Sequence, residues 1–95
     1  MAAYVIVEIE IQEPADYEIY KIEAAASIAA HAGRYIARGG KAETLEGDWI
    51  PKRIVILEFE SLERAKTWWA SAEYSEARQR RLRAATCRMI AVEGL

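Results

Sequence analysis

The stretch AGRYIARGGKAETLEGDWIPKRIVILEFES, residues 32–61, decides the fold of this chain. Residues 34–38 have a short strand pattern, and the long apolar run 53–59 has a second one. Gly-Gly at 39–40 and Gly-Asp at 47–48 interrupt the sequence between them, and steps of this kind are typical of turns. The stretch therefore predicts a central hairpin of two strands, with helical patterns on both sides.

Before this stretch, the sequence predicts one strand and one long helix. Residues 4–11 alternate between two faces and are rich in β-branched side chains, a pattern that is typical of a strand. Pro14 suits the first turn of a helix, and the pattern predicts that this helix runs over residues 15–32. Gly33 follows as the expected C′ residue, which ends the helix.

The predicted helix has two apolar stripes. The first contains Tyr17, Tyr20, Ala24, Ile28 and His31, and the second, on nearly the opposite face, contains Ile19, Ile22, Ala26 and Ala29. A helix on the surface of a globular protein needs only one stripe, which packs on the sheet. The second stripe therefore predicts a further contact with something other than the sheet.

After this stretch, the sequence predicts two helical segments and a last strand. Ser61 is the expected N-cap of the first segment, with Glu63 in its first turn. The inner stripe of this helix is predicted to contain Leu62, Ala65, Trp69 and Ala72, with Trp68 beside it. Because adjacent helical residues point about 100° apart, one tryptophan should be core and the other should meet a lid, a ligand or a partner. A shorter helix restarts at Ser71 or Ser75, and residues 86–93 alternate as a strand.

The predicted order of elements is β-α-β-β-α-β, which is the ferredoxin-like split motif of an α+β protein. Its usual strand order is 4-1-3-2, and we predict one such antiparallel sheet in a single domain of residues 1–95. The sheet face away from the helices is predicted to carry Arg34, Arg38, Glu58, Glu8 and Arg88. Opposite charges support the two edge pairings, while Glu8 beside Glu58 is a like-charge cost. Because isoleucines share this face, we predict that it is the surface of a homodimer.

Composition and charge exclude several functional classes. The 95 residues are 53% hydrophobic, and 13 basic and 15 acidic side chains give a net charge of −2. This balance favours neither nucleic acid nor an anionic membrane, and the arginines at 78–83 are predicted to form a solvated helix face. One Cys excludes an internal disulfide, and one His with one Cys is too few for a zinc site, so we expect no metal and no cofactor. The start lacks the basic region of a signal peptide, and no apolar run approaches ~20 residues, so we predict a cytoplasmic protein.

Several short motifs are similar to those of a known bacterial family. They are HAGRYIARGG at 31–40, LEGDWIPKR at 45–53, EFES at 58–61, WWAS at 68–71 and VEG at 92–94. Together they resemble domain of unknown function 1330, a family of dimeric α+β barrels, over nearly the whole chain. The resemblance implies a homodimer whose two sheets face each other, with a pocket between sheet and helices in each subunit, and it implies no particular activity. The chain differs from the family pattern at Ala32, where Gly is usual, and at Glu60, where Pro is usual.

Six residues are predicted to form a site for a small anionic or aromatic molecule. The polar anchors are His31, Arg38 and Arg53, and the walls are Trp49, Tyr17 and Tyr74. An apolar surplus beside a few convergent polar groups is typical of ligand pockets. Each residue also has a structural alternative: a helix-end histidine, arginines beside turns, a tryptophan that packs on a turn, and core tyrosines.

Two other functions are compatible with the same residues. The first is a cofactor-independent oxygenase or isomerase, in which His31 is the base and Arg38 holds an oxyanion. The second is a purely structural dimer with a closed interior. Haem degradation by relatives of the resembled fold uses an Asn-Trp-His set, and this chain contains no Asn. Whether the chain is an enzyme stays open at this point.

Overall fold

A four-stranded antiparallel sheet with three helices on one face forms the protein. The computed structural model describes all residues, 1–95. The elements are β1 (Ala3–Ile11), α1 (Pro14–Ala30), β2 (Arg34–Arg38), β3 (Arg53–Phe59), α2 (Leu62–Ala70), α3 (Ala72–Ala84) and β4 (Ala85–Glu93). Every predicted element is present, and α2 and α3 meet at Ser71, which caps the start of α3. None of the three helices has the length and the apolarity that crossing a lipid bilayer requires.

The strands lie in the order β2-β3-β1-β4, and each pairs antiparallel with its neighbours. This is the predicted order 4-1-3-2 read from the other edge, so the ferredoxin-like fold is confirmed. The central strands β1 and β3 supply the inward-facing side chains of the core, and β2 and β4 are the edges.

Opposite charges join the edge strands to the centre, as the sequence predicted. Arg88 Nε of β4 lies 2.7 Å from Glu8 Oε1 of β1. Arg34 Nε of β2 lies 2.5 Å from Glu58 Oε1 of β3. The prediction that Glu8 lies beside Glu58 is wrong, because the register places Ile54 opposite Glu8. The like-charge cost that was expected at the centre of the sheet is therefore avoided.

The core lies between the sheet and the helices and contains 16 buried residues. Trp68 is 1% exposed, and its Nε1 donates a hydrogen bond of 3.0 Å to Ser27 Oγ. The prediction that Trp69 belongs to the inner stripe is wrong, because Trp69 is 46% exposed. The buried face of α2 runs through Ala65 and Trp68, so Trp69, one residue further on, points to the side.

A β-bulge in β2 changes the direction in which Arg38 points. The pairing of β2 with β3 shifts by one residue between Tyr35 and Ala37. After the shift, Arg38 lies opposite Val55, a core residue that faces the helices. The prediction that Arg34 and Arg38 share the outer face is therefore wrong, because an extra residue reverses the alternation of side chains.

The end of α1 differs from the prediction by one residue. The N–H of Gly33 donates to Ile28 O at 2.9 Å, and the N–H of Ala32 donates to Ala29 O at 3.1 Å, which is the Schellman pattern. Ala32, with a φ of 59°, therefore takes the C′ position that was predicted for Gly33. Gly33 is required for space instead, because a Cβ there would lie 2.5 Å from Phe59 Cε1.

Candidate functional site

A cleft of about 580 Å³ lies between α2 and the edge strand β4. The helix-facing side of β4 forms its floor with Cys87, Met89 and Ala91, and Trp69 of α2 stands at its wall. Ala70 and Ala91 contribute only methyl groups, which leaves space that larger side chains would fill. The volume lies within the range that is typical of sites for small molecules.

Arg81 of α3 is the charged group buried in this cleft. The residue is 7% exposed, and its Nη1 donates a hydrogen bond of 2.9 Å to Tyr74 Oη. Its Nε is buried without a hydrogen-bond partner, and no carboxylate forms an ion pair with it. A guanidinium stays protonated in proteins, so the cleft holds a buried positive charge without a counter-ion. Such a charge is unfavourable in the absence of an anion.

The tyrosines behind Arg81 do not supply that anion. The hydroxyl oxygens of Tyr20 and Tyr74 lie 2.9 Å apart, and Tyr74 is completely buried. Burial raises the pKa of both phenols above the ordinary value of 10.0, so both are neutral near pH 7. The two tyrosines therefore orient the guanidinium without neutralising it.

Cys87 is the only thiol of the chain and lies half-buried on the floor of the cleft. Burial raises the pKa of this thiol, although the positive charge of Arg81 opposes the shift. A thiol that stays protonated is a poor nucleophile, so Cys87 lines the cleft as a small apolar group. No group of three or more His, Cys, Asp or Glu side chains is placed to hold a metal ion.

Three of the six predicted site residues meet at a second, much smaller cavity. It has a volume of about 30 Å³, lies between the sheet and α1, and is lined by Tyr17, Arg38 and Arg53 among others. The Arg53 guanidinium carbon lies 5.7 Å from the centre of the Tyr17 ring, and that of Arg38 lies 4.2 Å from the centre of the Tyr35 ring. The volume has room for about one water molecule, so a ligand would bind at its mouth.

The other three predicted residues lie elsewhere. His31 is the C-cap of α1, and its Nε2 lies 3.4 Å from Glu73 Oε1. Tyr74 belongs to the core behind the cleft. Trp49 lies on the outer face of the sheet, where its Nε1 donates a hydrogen bond of 2.8 Å to Glu8 Oε2. The six residues therefore do not form one site.

Trp49 lies on the outer face because Glu8 anchors the loop 39–52 there. The Glu8 carboxylate accepts hydrogen bonds from Trp49, from Arg88 and from the backbone N–H of Lys52. The bond from Trp49 is the largest cause that lowers the pKa of Glu8, which keeps the carboxylate ionised. Trp49, which was predicted to be a wall of the pocket, thus makes its contact on the face of the sheet that has no helices.

Arg81 was not predicted to be a site residue, because the arginines at 78–83 were interpreted as one solvated helix face. That prediction is wrong for Arg81, which is buried, although Arg80 pairs with Glu23 at 2.9 Å as a surface residue should. The position of Arg81 in the sequence does contain a signal for its burial, because it lies at helical spacing from the apolar residues of α3. The buried residues of α3 are Tyr74, Ala77, Arg81 and Ala84, which recur at intervals of three and four on one face.

The fold and the cleft define a small ferredoxin-like α+β protein with an apolar pocket beside an edge strand. The chain belongs to the family described as domain of unknown function (DUF1330), whose family model matches residues 2–95. This match confirms the family that the sequence motifs resemble. No curated protein matches the chain significantly.

Several solved structures share this fold at low sequence identity. A protein of unknown function from Rhodopseudomonas palustris has a TM-score of 0.78 and 18% identity, over 99% of this chain and 82% of that chain. SnoaB, a cofactor-independent oxygenase from Streptomyces nogalater, has a TM-score of 0.69 and 10% identity, over 99% and 93%. A dimeric ferredoxin-like protein of unknown function from Jannaschia sp. has a TM-score of 0.66 and 13% identity, over 99% and 100%. At these identities the likeness shows the fold alone.

Proposed function

We propose that the protein is a cytoplasmic homodimer that binds a small aromatic carboxylate in the cleft of each subunit. The observation that carries this proposal is Arg81, a buried cation without a counter-ion in an otherwise largely apolar cleft. The aromatic part of the ligand lies against Trp69 and Met89, and the carboxylate binds Arg81. An unpaired Cys87 suits a reducing compartment such as the cytoplasm.

The geometry of the guanidinium favours a carboxylate as the anion. Its Nη1 is used by Tyr74, whereas its Nε has no partner. The guanidinium is a planar fork, and its N–H groups other than the one bonded to Tyr74 can pair with a planar carboxylate. One positive charge then meets one negative charge, and the apolar wall favours an aromatic body for the rest of the ligand.

The two other predicted functions fit the structure less well. His31 is the C-cap of α1 and does not line the cavity at whose mouth Arg38 lies. A base and an oxyanion-holding group that line different parts of the protein do not act on the same small group of a substrate. A purely structural dimer predicts a closed interior, whereas a cleft of about 580 Å³ opens beside β4.

The proposal is tested by calorimetric titration with cinnamate, and with cinnamamide as its neutral counterpart. We expect cinnamate to bind at one site per chain and cinnamamide to bind at least about tenfold more weakly, because only the carboxylate forms charged hydrogen bonds with Arg81. Ala91→Phe should fill the cleft and prevent binding without unfolding the protein, because Ala91 is exposed in the cleft. Equal affinity for the two compounds, or tight binding by Ala91→Phe, would contradict the proposal.

The homodimer is proposed from the outer face of the sheet. Its centre is a row of three isoleucines, Ile56, Ile6 and Ile90, on neighbouring strands. Ile90 is 63% exposed, and Val92 beside it on β4 is 46% exposed. An apolar face of this kind is unfavourable in water and is typical of an association surface. The dimeric relative from Jannaschia sp. supports a dimer of this fold.

Ile6→Glu in the middle of that row should convert the dimer into a monomer. The substitution places a carboxylate from each chain in an apolar interface, where an unpaired charge is costly. Light scattering should give the chain mass of 10.7 kDa for the variant and twice that mass for the unsubstituted protein. Ile22→Glu on α1, where Ile22 is 73% exposed, is the matched control and should remain dimeric. If Ile22→Glu is the variant that dissociates, the copies associate through α1 and the proposed interface is wrong.

A further inference from the structure

We propose that Arg38 and Arg53 form a second anion site, which binds the dianion of phosphate or the phosphate group of a monoester. The site lies where β2 ends and β3 begins, at the mouth of the cavity of about 30 Å³. It shares no charged residue with the cleft, so it is independent of the carboxylate site proposed above.

Neither arginine has an acidic partner. Of the ten ion pairs in the chain, none involves Arg38 or Arg53. The Nε of Arg53 is also buried without a hydrogen-bond partner. Lys21 lines the same cavity, but its ammonium is paired with Glu18 at 2.5 Å. Two positive charges therefore meet at this mouth without compensation.

The fold holds the two side chains on the same side of the sheet. The β-bulge turns Arg38 toward the helices, opposite Val55, which is two residues after Arg53 on β3. Diagonal neighbours of this kind lie about 7–8 Å apart, within reach of long side chains. Each guanidinium also lies over a tyrosine ring, Tyr35 for Arg38 and Tyr17 for Arg53, which limits its freedom to move away.

Gly39 gives the Arg53 guanidinium its position. The φ of Gly39 is 71°, in the left-handed region that favours glycine. A Cβ at this residue would collide with Nη1 of Arg53. The turn after β2 thus leaves the space that the Arg53 guanidinium occupies at the cavity that Arg38 also lines.

A tetrahedral dianion matches this pair of arginines. Each guanidinium offers a planar fork, and one phosphate group has enough oxygens and enough charge for two forks. A monocarboxylate has two oxygens and one negative charge, so it leaves one arginine uncompensated. The cavity behind the mouth holds about one water molecule, so the organic part of a monoester would extend into solvent.

The ligand class is tested by calorimetric titration of the intact chain with inorganic phosphate, phenyl phosphate and acetate. We expect phosphate to bind and acetate to bind at least about tenfold more weakly, because acetate satisfies one fork only. Tighter binding of phenyl phosphate supports a monoester as the ligand, and tighter binding of inorganic phosphate supports the free ion. No binding of either phosphate, or acetate binding as tightly to the variant Arg81→Met, in which the cleft has lost its carboxylate anchor, overturns the proposal.

Single substitutions locate the site. Arg38→Met and Arg53→Met should each weaken phosphate binding at least about tenfold, and Arg38 is exposed, so its variant keeps the fold. Arg34→Met is the matched control on the same strand, because Arg34 faces outward and pairs with Glu58 at 2.5 Å. Arg81→Met should bind phosphate normally, which separates this site from the cleft. Unchanged binding by Arg38→Met, or an equal loss in Arg34→Met, overturns the proposal.

Discussion

Arg81→Met should weaken the binding of cinnamate roughly a hundredfold while leaving the melting temperature unchanged or higher. Arg81 is 7% exposed and has no carboxylate partner, so in the empty protein its charge is buried at a cost. Met fills a similar volume without that cost, and the Tyr74 hydroxyl keeps its hydrogen bond with Tyr20. Loss of the charged hydrogen bonds should weaken cinnamate binding by about 3 kcal/mol, or roughly a hundredfold.

The combination of the two measurements makes this test decisive. Calorimetry measures the affinity for cinnamate, and thermal unfolding measures the stability of the same variant. Arg81→Lys is the control, because it keeps the charge and loses the planar fork, and it should retain part of the affinity. If Arg81→Met unfolds the protein, the guanidinium has a structural role. If the variant binds cinnamate as the parent does, the carboxylate lies elsewhere.

The sheet was predictable from the sequence because its strands have a local signal and its order of elements is that of a known motif. Alternation with a period of two marked the strands, the β-α-β-β-α-β order gave the strand order, and opposite charges supported the edge pairings, which the structure makes between Arg88 and Glu8 and between Arg34 and Glu58. The direction of Arg38 was not predictable, because the bulge before Ala37 adds one residue without a glycine or a proline to mark it. This single extra residue in β2 turns the Arg38 side chain to the opposite face of the sheet.

The candidate site was predictable only in part, for reasons that differ between residues. Arg38 and Arg53 flank one loop, so their meeting follows from the hairpin. The position of Trp49 depends on the path of the loop 39–52. This loop has no helical or strand periodicity that would predict on which side of the sheet the Trp49 side chain lies. Arg81 was overlooked because a search for apolar stripes omits an arginine that shares the face of Tyr74.

The two tryptophans of α2 are adjacent in the sequence, yet Trp68 belongs to the core and Trp69 to the cleft. The helix has only nine residues, so its apolar pattern fits two rotations that differ by one position. The structure selects the rotation in which Trp68 lies 5.3 Å from the Phe59 ring and 4.2 Å from the Tyr74 ring. Trp69 then stands beside the cleft, where Arg78 lies over its ring at 4.1 Å.

Trp68→Ala should therefore reduce the free energy of unfolding by about 3–5 kcal/mol, a large part of the stability of a small domain. The substitution removes a side chain that is 1% exposed, together with its hydrogen bond to Ser27. Urea denaturation followed by circular dichroism measures this loss. Ser27 Oγ keeps its own bond of 2.8 Å to Ala24 O, so the cost comes mainly from the cavity that the indole leaves.

Trp69→Ala is the matched comparison, because the same residue type changes in the same helix. Trp69 is 46% exposed and its ring contacts Arg78, so its removal should cost only about 1 kcal/mol of stability. Cinnamate binding should nevertheless weaken by about tenfold, because the ligand loses an aromatic wall. The two variants thus separate packing from binding at neighbouring positions. An equal loss of stability in both would mean that α2 is rotated away from the orientation that forms the cleft.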